Sequence, residues 1–171
     1  MNLGCFRLYD DVILPQQATS GSACFDVSCY LNDSVPVTVY DMSNGKSKRY
    51  PEWANEKLQL IVYPADRVLV PTGIVFDIPT AYSVRLHTRS SISLKRGLIM
   101  PNGEGIIDSD YHHETFVMLM NASADTVIIN NKERIAQAEV VQTEFYNIEE
   151  VKHRPEQTTE RVGGFGSTGK V

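Results

Sequence analysis

Val68-Leu-Val-Pro-Thr-Gly-Ile-Val-Phe76 reads as a strand, a turn and a second strand. Two β-branched apolar runs, each of strand length, flank Pro71-Thr-Gly73, where proline presets φ and glycine tolerates a positive one. The same pattern recurs in Val84-Arg-Leu86, Thr115-Phe-Val-Met-Leu-Met120, Val127-Ile-Ile129 and Ala136-Gln-Ala-Glu-Val-Val141. Turn residues at Pro101-Asn-Gly103 and Asn130-Asn131 separate these runs, and the spacing predicts an antiparallel sandwich or barrel. No stretch sustains a long helical apolar period. The one predicted helix is short, over residues 51–60, where Pro51 suits a first turn and Trp53, Leu58 and Leu60 share a face. With the polar, turn-rich Ser43-Asn-Gly-Lys-Ser-Lys-Arg49 before it, the stretch 38–60 reads as an excursion from the sheet, a hairpin with a helical turn.

A chain of 171 residues, 42% hydrophobic and 22% charged, is long enough for one domain with a real core. Its formal net charge of -5 argues against binding nucleic acid by bulk electrostatics. Phosphate binding then rests on a few placed cations, which points to a small phosphorylated ligand. Cys5, Cys24 and Cys29 are odd in number and lack metal-ligand spacing, so neither a disulfide framework nor a zinc site is expected. No basic segment followed by an apolar run opens the chain, and no apolar stretch approaches the roughly 20 residues of a membrane span. The expectation is a soluble, intracellular protein of the cytoplasm that engages no membrane.

Five clusters hold polar residues that a plain barrel does not require. Ala18-Thr-Ser-Gly-Ser-Ala-Cys-Phe-Asp-Val27 is a small-residue loop running into a strand that carries Asp26, a carboxylate that also suits an ordinary turn. In His87-Thr-Arg-Ser-Ser-Ile92 a strand ends at Arg89, whose planar fork suits phosphate, followed by the hydroxyls of Ser90 and Ser91. Asn102-Gly-Glu-Gly-Ile-Ile-Asp-Ser-Asp-Tyr111 packs two carboxylates and an aromatic ring behind an apolar pair. Alone it also describes a hairpin with a solvated acidic turn. Glu133-Arg-Ile-Ala-Gln137 offers Gln137 as a donor to a phosphate oxygen. In Arg161-Val-Gly-Gly-Phe-Gly-Ser-Thr-Gly-Lys-Val171 the glycines let backbone N–H groups approach a phosphate chain. Ser167 and Thr168 add hydroxyls there, and Phe165 offers a face to a base. Gly164 to Lys170 matches the phosphate-loop spacing, but Val171 stands where that motif needs Ser or Thr.

In this order the five clusters resemble the five motifs of the trimeric deoxyuridine triphosphatase (dUTPase) family, most closely in Gly105-Ile-Ile-Asp-Ser-Asp-Tyr111, Glu133-Arg-Ile-Ala-Gln137 and Gly163-Gly-Phe-Gly-Ser-Thr-Gly169. The resemblance runs from about Ala18 onward. It implies an all-β, jelly-roll-like distorted barrel with at most one or two short helices, forming a homotrimer. It divides the chain into a barrel domain over residues 1–160 and an arm over 161–171 that closes over an active site. The implied reaction is hydrolysis of dUTP to dUMP and pyrophosphate. Asp108 activates the water, and Tyr111 stacks under the deoxyribose. Main-chain groups of the hairpin through Gly105, Ile106 and Ile107 read uracil, helped by the Asn102 side chain. Arg89, Ser90, Ser91 and Gln137 hold phosphates, with Arg161, Phe165, Gly166, Ser167 and Thr168 supplied by the arm. The implied Mg2+ rides on the triphosphate, with Asp26 reaching it only through water.

The wider superfamily includes dCTP deaminases, whose motifs carry an arginine and a glutamate at the positions of Leu94 and Met118 here. Neither of these side chains relays protons, so deamination, alone or combined with the diphosphatase, is the weaker alternative. A dUTP-sensing regulatory protein, with 38–60 as a contact for a neighbouring subunit or an outside partner, is the alternative from another class. This chain departs from the family in placing Cys24, Lys132 and His113 where glycine is usual. In the arm, Glu160 takes the usual arginine's place, one residue before Arg161.

Overall fold

The computed structural model describes residues 1–160, so the arm at 161–171 lies outside the described residues. In chain order the strands begin with β1 (Gly4–Arg7), β2 (Gln16–Gln17), β3 (Phe25–Ser28), β4 (Val37–Tyr40) and β5 (Lys46–Arg49). They continue with β6 (Glu52–Ala54), β7 (Lys57–Val62), β8 (Arg67–Pro71), β9 (Ile74–Asp77) and β10 (Tyr82–Thr88). A single helix, α1 (Ser90–Arg96), precedes β11 (Leu98–Ile99), β12 (Gly105–Ile107), β13 (Phe116–Asn121), β14 (Val127–Asn130) and β15 (Arg134–Gln142). All registered pairings are antiparallel. Two five-stranded sheets, ordered β12-β10-β15-β3-β2 and β11-β13-β8-β4-β5, are joined by a two-stranded and a three-stranded sheet. The chain crosses repeatedly between the two large sheets, as in a jelly-roll-like distorted barrel. Among the described residues no helix is long and apolar enough to cross a membrane.

The strands quoted above are strands because every second side chain enters one core. Val68 and Val70 of β8, Val84 and Leu86 of β10, Val117 and Leu119 of β13, and Leu58, Leu60 and Val62 of β7 are all buried in a single cluster. Burying a side chain of this kind contributes roughly 1.5–3 kcal/mol. A slip of one residue in any of these pairings would exchange the buried and exposed sets, so the core fixes which residues face outward. Outward on β10 stand Arg85 and His87, and these point toward the chemistry described below.

The structure corrects two local expectations. Residues 51–60 contain no helix: β6 and β7 form a hairpin whose turn residues, Asn55 (φ 49) and Glu56 (φ 60), have the paired positive φ of a tight hairpin turn. Leu58, Leu60 and Val62 alternate into the core, and this period-two pattern overrides the helical spacing of Trp53, Leu58 and Leu60. The stretch 38–60 is therefore built into the sheets. Strand β4 lies between β8 and β5, and β7 pairs with β14. The helix lies instead at Ser90–Arg96, directly after Arg89, where a strand end was expected. Its stop signal was in the sequence, because Lys95 and Arg96 occupy the last turn and Gly97 closes it at φ 65.

Of the three positions where the family usually has glycine, Lys132 alone adopts a glycine-like conformation, with φ 64. It sits in the turn between β14 and β15, and its Nζ pairs with Asp11 Oδ2 at 2.7 Å on the surface. Lys132→Gly relieves about 1 kcal/mol of left-handed strain, partly offset by a freer unfolded chain. Thermal unfolding of Lys132→Gly is expected to match or exceed the wild type, while Lys132→Ile melts lower. A glycine variant that melts well below wild type would contradict this account of the turn.

Candidate functional site

Strand β12 is an edge strand, bonded to β10 through Val84↔Ile107, Arg85↔Ile106 and Leu86↔Gly105. A side chain at Gly105 would be crowded, since a Cβ would lie 3.0 Å from the Leu86 Cβ and 3.1 Å from the Met100 methyl carbon. The tight turn before it is closed by the Gly103 N–H donating to the Met100 carbonyl (2.9 Å), with Gly103 at φ 74. The expected hairpin is a turn followed by an edge strand, because β11 before it pairs with β13 in the other large sheet. Beside it opens a cleft of about 230 Å³, walled by Gly105, Ile106, Ile107, Tyr111, Thr115 and Phe116, with Asn102 in its lining. The predicted residues Asn102, Gly105, Ile106, Ile107 and Tyr111 thus converge on one cleft. The Asn102 side chain, expected to face a ligand, instead donates to the Glu104 carbonyl (2.8 Å) and shapes its own turn. Asp108 follows directly on Ile107 with its side chain exposed, and its carbonyl accepts the Tyr111 N–H at 3.1 Å.

Two further residues support this cleft that sequence reading passed over. The Tyr111 hydroxyl donates to the Glu114 carbonyl (3.0 Å), and the Glu114 carboxylate accepts the Gly73 N–H (2.8 Å), so the ring is tied to the β8–β9 turn. Burial raises the Glu114 pKa, a shift that the hydrogen bonds from Gly73 and Thr72 oppose. Thr115, 2% exposed, has a side-chain hydroxyl without a hydrogen-bond partner among the described residues. Neither had a sequence signal, because both roles depend on the turn at Gly73 coming beside the start of β13.

A second cleft, of about 380 Å³, gathers Asp26, Arg89, Ser90, Ser91 and Gln137, with Arg134 and Cys24 in its wall. Asp26 accepts from Arg89 Nε (2.7 Å) and Arg134 Nη1 (2.8 Å), so its carboxylate is shared by two guanidinium groups. Arg134 was not singled out from Glu133-Arg-Ile-Ala-Gln137, although it lies within that motif. It reaches the cleft because β15 bulges between Arg134 and Ala136. Ile135 and Ala136 are buried in succession, so Arg134 and Gln137 both escape to the outer face. Gln137 lies opposite Asp26 on β3 and His87 on β10, and its Nε2 donates to the Thr88 carbonyl at 3.1 Å. Burial raises the Cys24 thiol pKa, which keeps it a protonated wall group. With two guanidinium groups against one carboxylate, this cleft suits an anion.

Among the described residues none lines both clefts. They are connected through β10, which pairs with β12 at the first cleft and ends beside Arg89 at the second. Arg161, Phe165, Gly166, Ser167 and Thr168 lie outside the described residues. Among the described residues no group of three or more His, Cys, Asp or Glu side chains is arranged to hold a metal ion.

Comparison with known proteins gives one answer. The family model described as dUTPase matches residues 56–169. The chain is 35% identical over 169 residues to the deoxyuridine 5'-triphosphate nucleotidohydrolase of Hydrogenobaculum, covering 99% of each chain. It is 39% identical over 150 residues to that of Chlamydia abortus, covering 84% of this chain and 98% of the relative. Among solved structures, the Staphylococcus bacteriophage 80alpha dUTPase G164S mutant with dUpNHpp superposes with a TM-score of 0.74 at 18% identity, covering 98% of both chains. The Streptococcus mutans dUTPase superposes at 0.65 with 21% identity, covering 86% of this chain and 99% of the other. At these identities the structures establish the fold.

Thr115→Val removes a buried orphan hydroxyl at almost constant shape and is expected to raise the unfolding free energy by about 1 kcal/mol. A lowered denaturant midpoint would mean that the hydroxyl is satisfied in the folded state. For Glu114 the folded pKa is raised, so its ionised form opposes folding. That penalty is complete above the folded pKa and absent below the unfolded value near 4.5. Glu114→Gln, which keeps an oxygen for the Gly73 N–H, should therefore stabilise the protein near neutral pH. The gain should vanish on acidification, as followed by melting temperature against pH, whereas a pH-independent difference would contradict this reading.

Proposed function

Because this chain belongs to the dUTPase family and is a dUTP diphosphatase, we propose that its first cleft holds the deoxyuridine and its second the phosphates. The observation that carries the reading is the state of β12. Among the described residues it pairs only with β10, leaving the main-chain groups of its other edge unpaired at the rim of an apolar cleft. An unpaired strand edge offers alternating donors and acceptors, which suit the O2, N3–H and O4 of uracil. Cytosine presents the wrong pattern to that edge, and a thymine methyl meets the hairpin wall. The Tyr111 ring, tied down by its hydroxyl, packs under the deoxyribose and leaves no room for a 2'-hydroxyl.

In the proposed mechanism Asp108 orients a water molecule and takes its proton as the oxygen attacks the α-phosphorus in line. The bond from that phosphorus to the oxygen bridging to the β-phosphorus breaks, and pyrophosphate leaves. Arg89, Ser90, Ser91 and Gln137 hold the phosphates, with Arg134 adding charge beside them. When phosphate enters, the fork of Arg89 is already oriented by Asp26. With its carboxylate already shared by two arginines, Asp26 is not free to chelate a metal, so a Mg2+ would be held by the triphosphate and Asp26 would reach it only through water. Bound there, Mg2+ would supply charge neutralisation along the phosphate chain. Arg161, Phe165, Gly166, Ser167 and Thr168 form an arm that closes over the nucleotide, Phe165 against the base and the others over the phosphates.

The proposed assembly is a homotrimer in which the base cleft of one copy faces the phosphate cleft of another. It is supported by the separate linings of the two clefts. Deamination finds no support in the first cleft, where Met118 stands in the wall and Leu94 is 86% exposed on α1.

Incubation with dUTP and with dCTP, followed by product identification, is expected to give dUMP and pyrophosphate from dUTP alone. Deoxyuridine products from dCTP would favour the deaminase. Asp108→Asn is expected to bind dUTP and lower kcat by about 100-fold or more. Turnover near wild type in that variant would remove Asp108 from the mechanism.

A further inference from the structure

The hairpin assigned to base recognition has a mechanical weakness. Its strand β12 spans only Gly105–Ile107 and has a neighbouring strand on one side alone. Asn102 and Gly103 at its tip are exposed. The bonds of the turn, from the Glu104 N–H to the Asn102 carbonyl and from Asn102 Nδ2 to the Glu104 carbonyl, are internal to it. They set its shape, while the Gly103 N–H donating to the Met100 carbonyl (2.9 Å) and the pairing of Gly105–Ile107 with β10 tie it to the barrel. With a neighbouring strand on one side alone, its position gains from any further tie, and a base read by main-chain groups tolerates little movement.

One side chain reaches from the tip back to the barrel. Glu104 Oε2 accepts from Arg85 Nη1 at 3.1 Å, and Arg85 lies on β10 opposite Ile106. The bridge therefore runs diagonally across the strand pair that carries the base-reading edge. Arg85 is itself fixed, since its Nε donates to the hydroxyl of Ser83 (3.1 Å), a residue 3% exposed. A guanidinium already held at one end loses less freedom on pairing than a free surface arginine. His87 stands two residues on along the same face of β10. Its Nε2 lies 3.2 Å from Glu139 Oε1 on β15, and its Nδ1 lies 3.8 Å from Glu104 Oε1. The second distance is too long for a hydrogen bond.

We propose that Glu104 and Arg85 are positioning residues, a clamp that fixes the base-reading strand and its turn against β10. The proposal rests on the reading of the β12 edge as the uracil-recognising element. It assigns the pair no contact with substrate and no part in the chemical step. Losing the clamp lets the hairpin sample positions that do not fit the base, so binding weakens while bound substrate reacts as before.

The test is steady-state kinetics of the full-length protein and of Glu104→Ala, Arg85→Ala, the double variant and Glu104→Gln, with melting temperatures as a fold control. Each single alanine variant is expected to raise KM for dUTP about fivefold, the scale of a partly exposed ion pair, with kcat within about twofold. The double variant should be no worse than either single, because either substitution already removes the same clamp. Glu104→Gln, which keeps an acceptor for Arg85, should fall between alanine and wild type. Unchanged KM in the single variants, additive losses in the double, or a fall in kcat tracking lost folded protein at constant KM would each overturn the clamp. Failure of the underlying reading looks different, because the wild type would then not select dUTP over dCTP.

Discussion

The site depends on strand β10 being hydrogen-bonded on both edges while its alternate side chains are locked in the core. Val84 and Leu86 are buried, and the strand pairs with β12 on one side and with seven consecutive residues of β15 on the other. Given that register, the rest of the geometry follows. Arg85 and His87 must face outward, Gly105 must pass close over Leu86, and Gln137 must stand opposite His87. The chain leaving Thr88 must deliver Arg89 to the cleft that holds Asp26. Both clefts of the candidate site lie along this strand, one where β12 pairs with it and the other where the chain leaves its end at Arg89.

Polar residues near β10 are arranged around this frame in a graded way. At the cleft proposed for the phosphates a guanidinium pair shares one carboxylate, so positive charge is present and partly neutralised. At the cleft proposed for the base the walls are largely apolar, and turns hold the main-chain groups beside it. The turn at Gly73 fixes Glu114 and through it Tyr111, while the turn at Gly103 fixes Asn102 and Glu104. Turns thus position the groups proposed to discriminate the base, and Thr115 and Glu114 beside them are placed where burial disfavours them.

Much of this was legible in the sequence. Period-two runs such as Val68-Leu-Val70 and Val84-Arg-Leu86 announce their strands, because alternation with burial is a local property. The four motifs among the described residues stood out through their resemblance to a family, and the structure gathers their residues at two clefts. The misread parts are those where tertiary pairing decides. Residues 51–60 match a helical spacing over three apolar side chains, yet pairing of β7 with β14 buries Leu58, Leu60 and Val62 on one face. The helix at Ser90–Arg96 was hidden because Arg89, Ser90 and Ser91 were weighed as ligands, with Gly97 left out of account. Arg134 depended on a bulge, and Glu114 and Asn102 on turns that only the folded chain brings together.

In the proposed assembly a working site needs the base cleft of one copy and the phosphate cleft of another. Co-refolding two variants, each inactive alone, tests it most directly: Asp108→Asn, which disables the hairpin side, and Arg89→Ala, which disables the phosphate side. In mixed assemblies some sites then combine an intact half from each parent, so the account predicts that dUTP hydrolysis returns. Mixed assemblies that form and stay as inactive as the separate variants would contradict it, and would place both clefts of each site on a single chain.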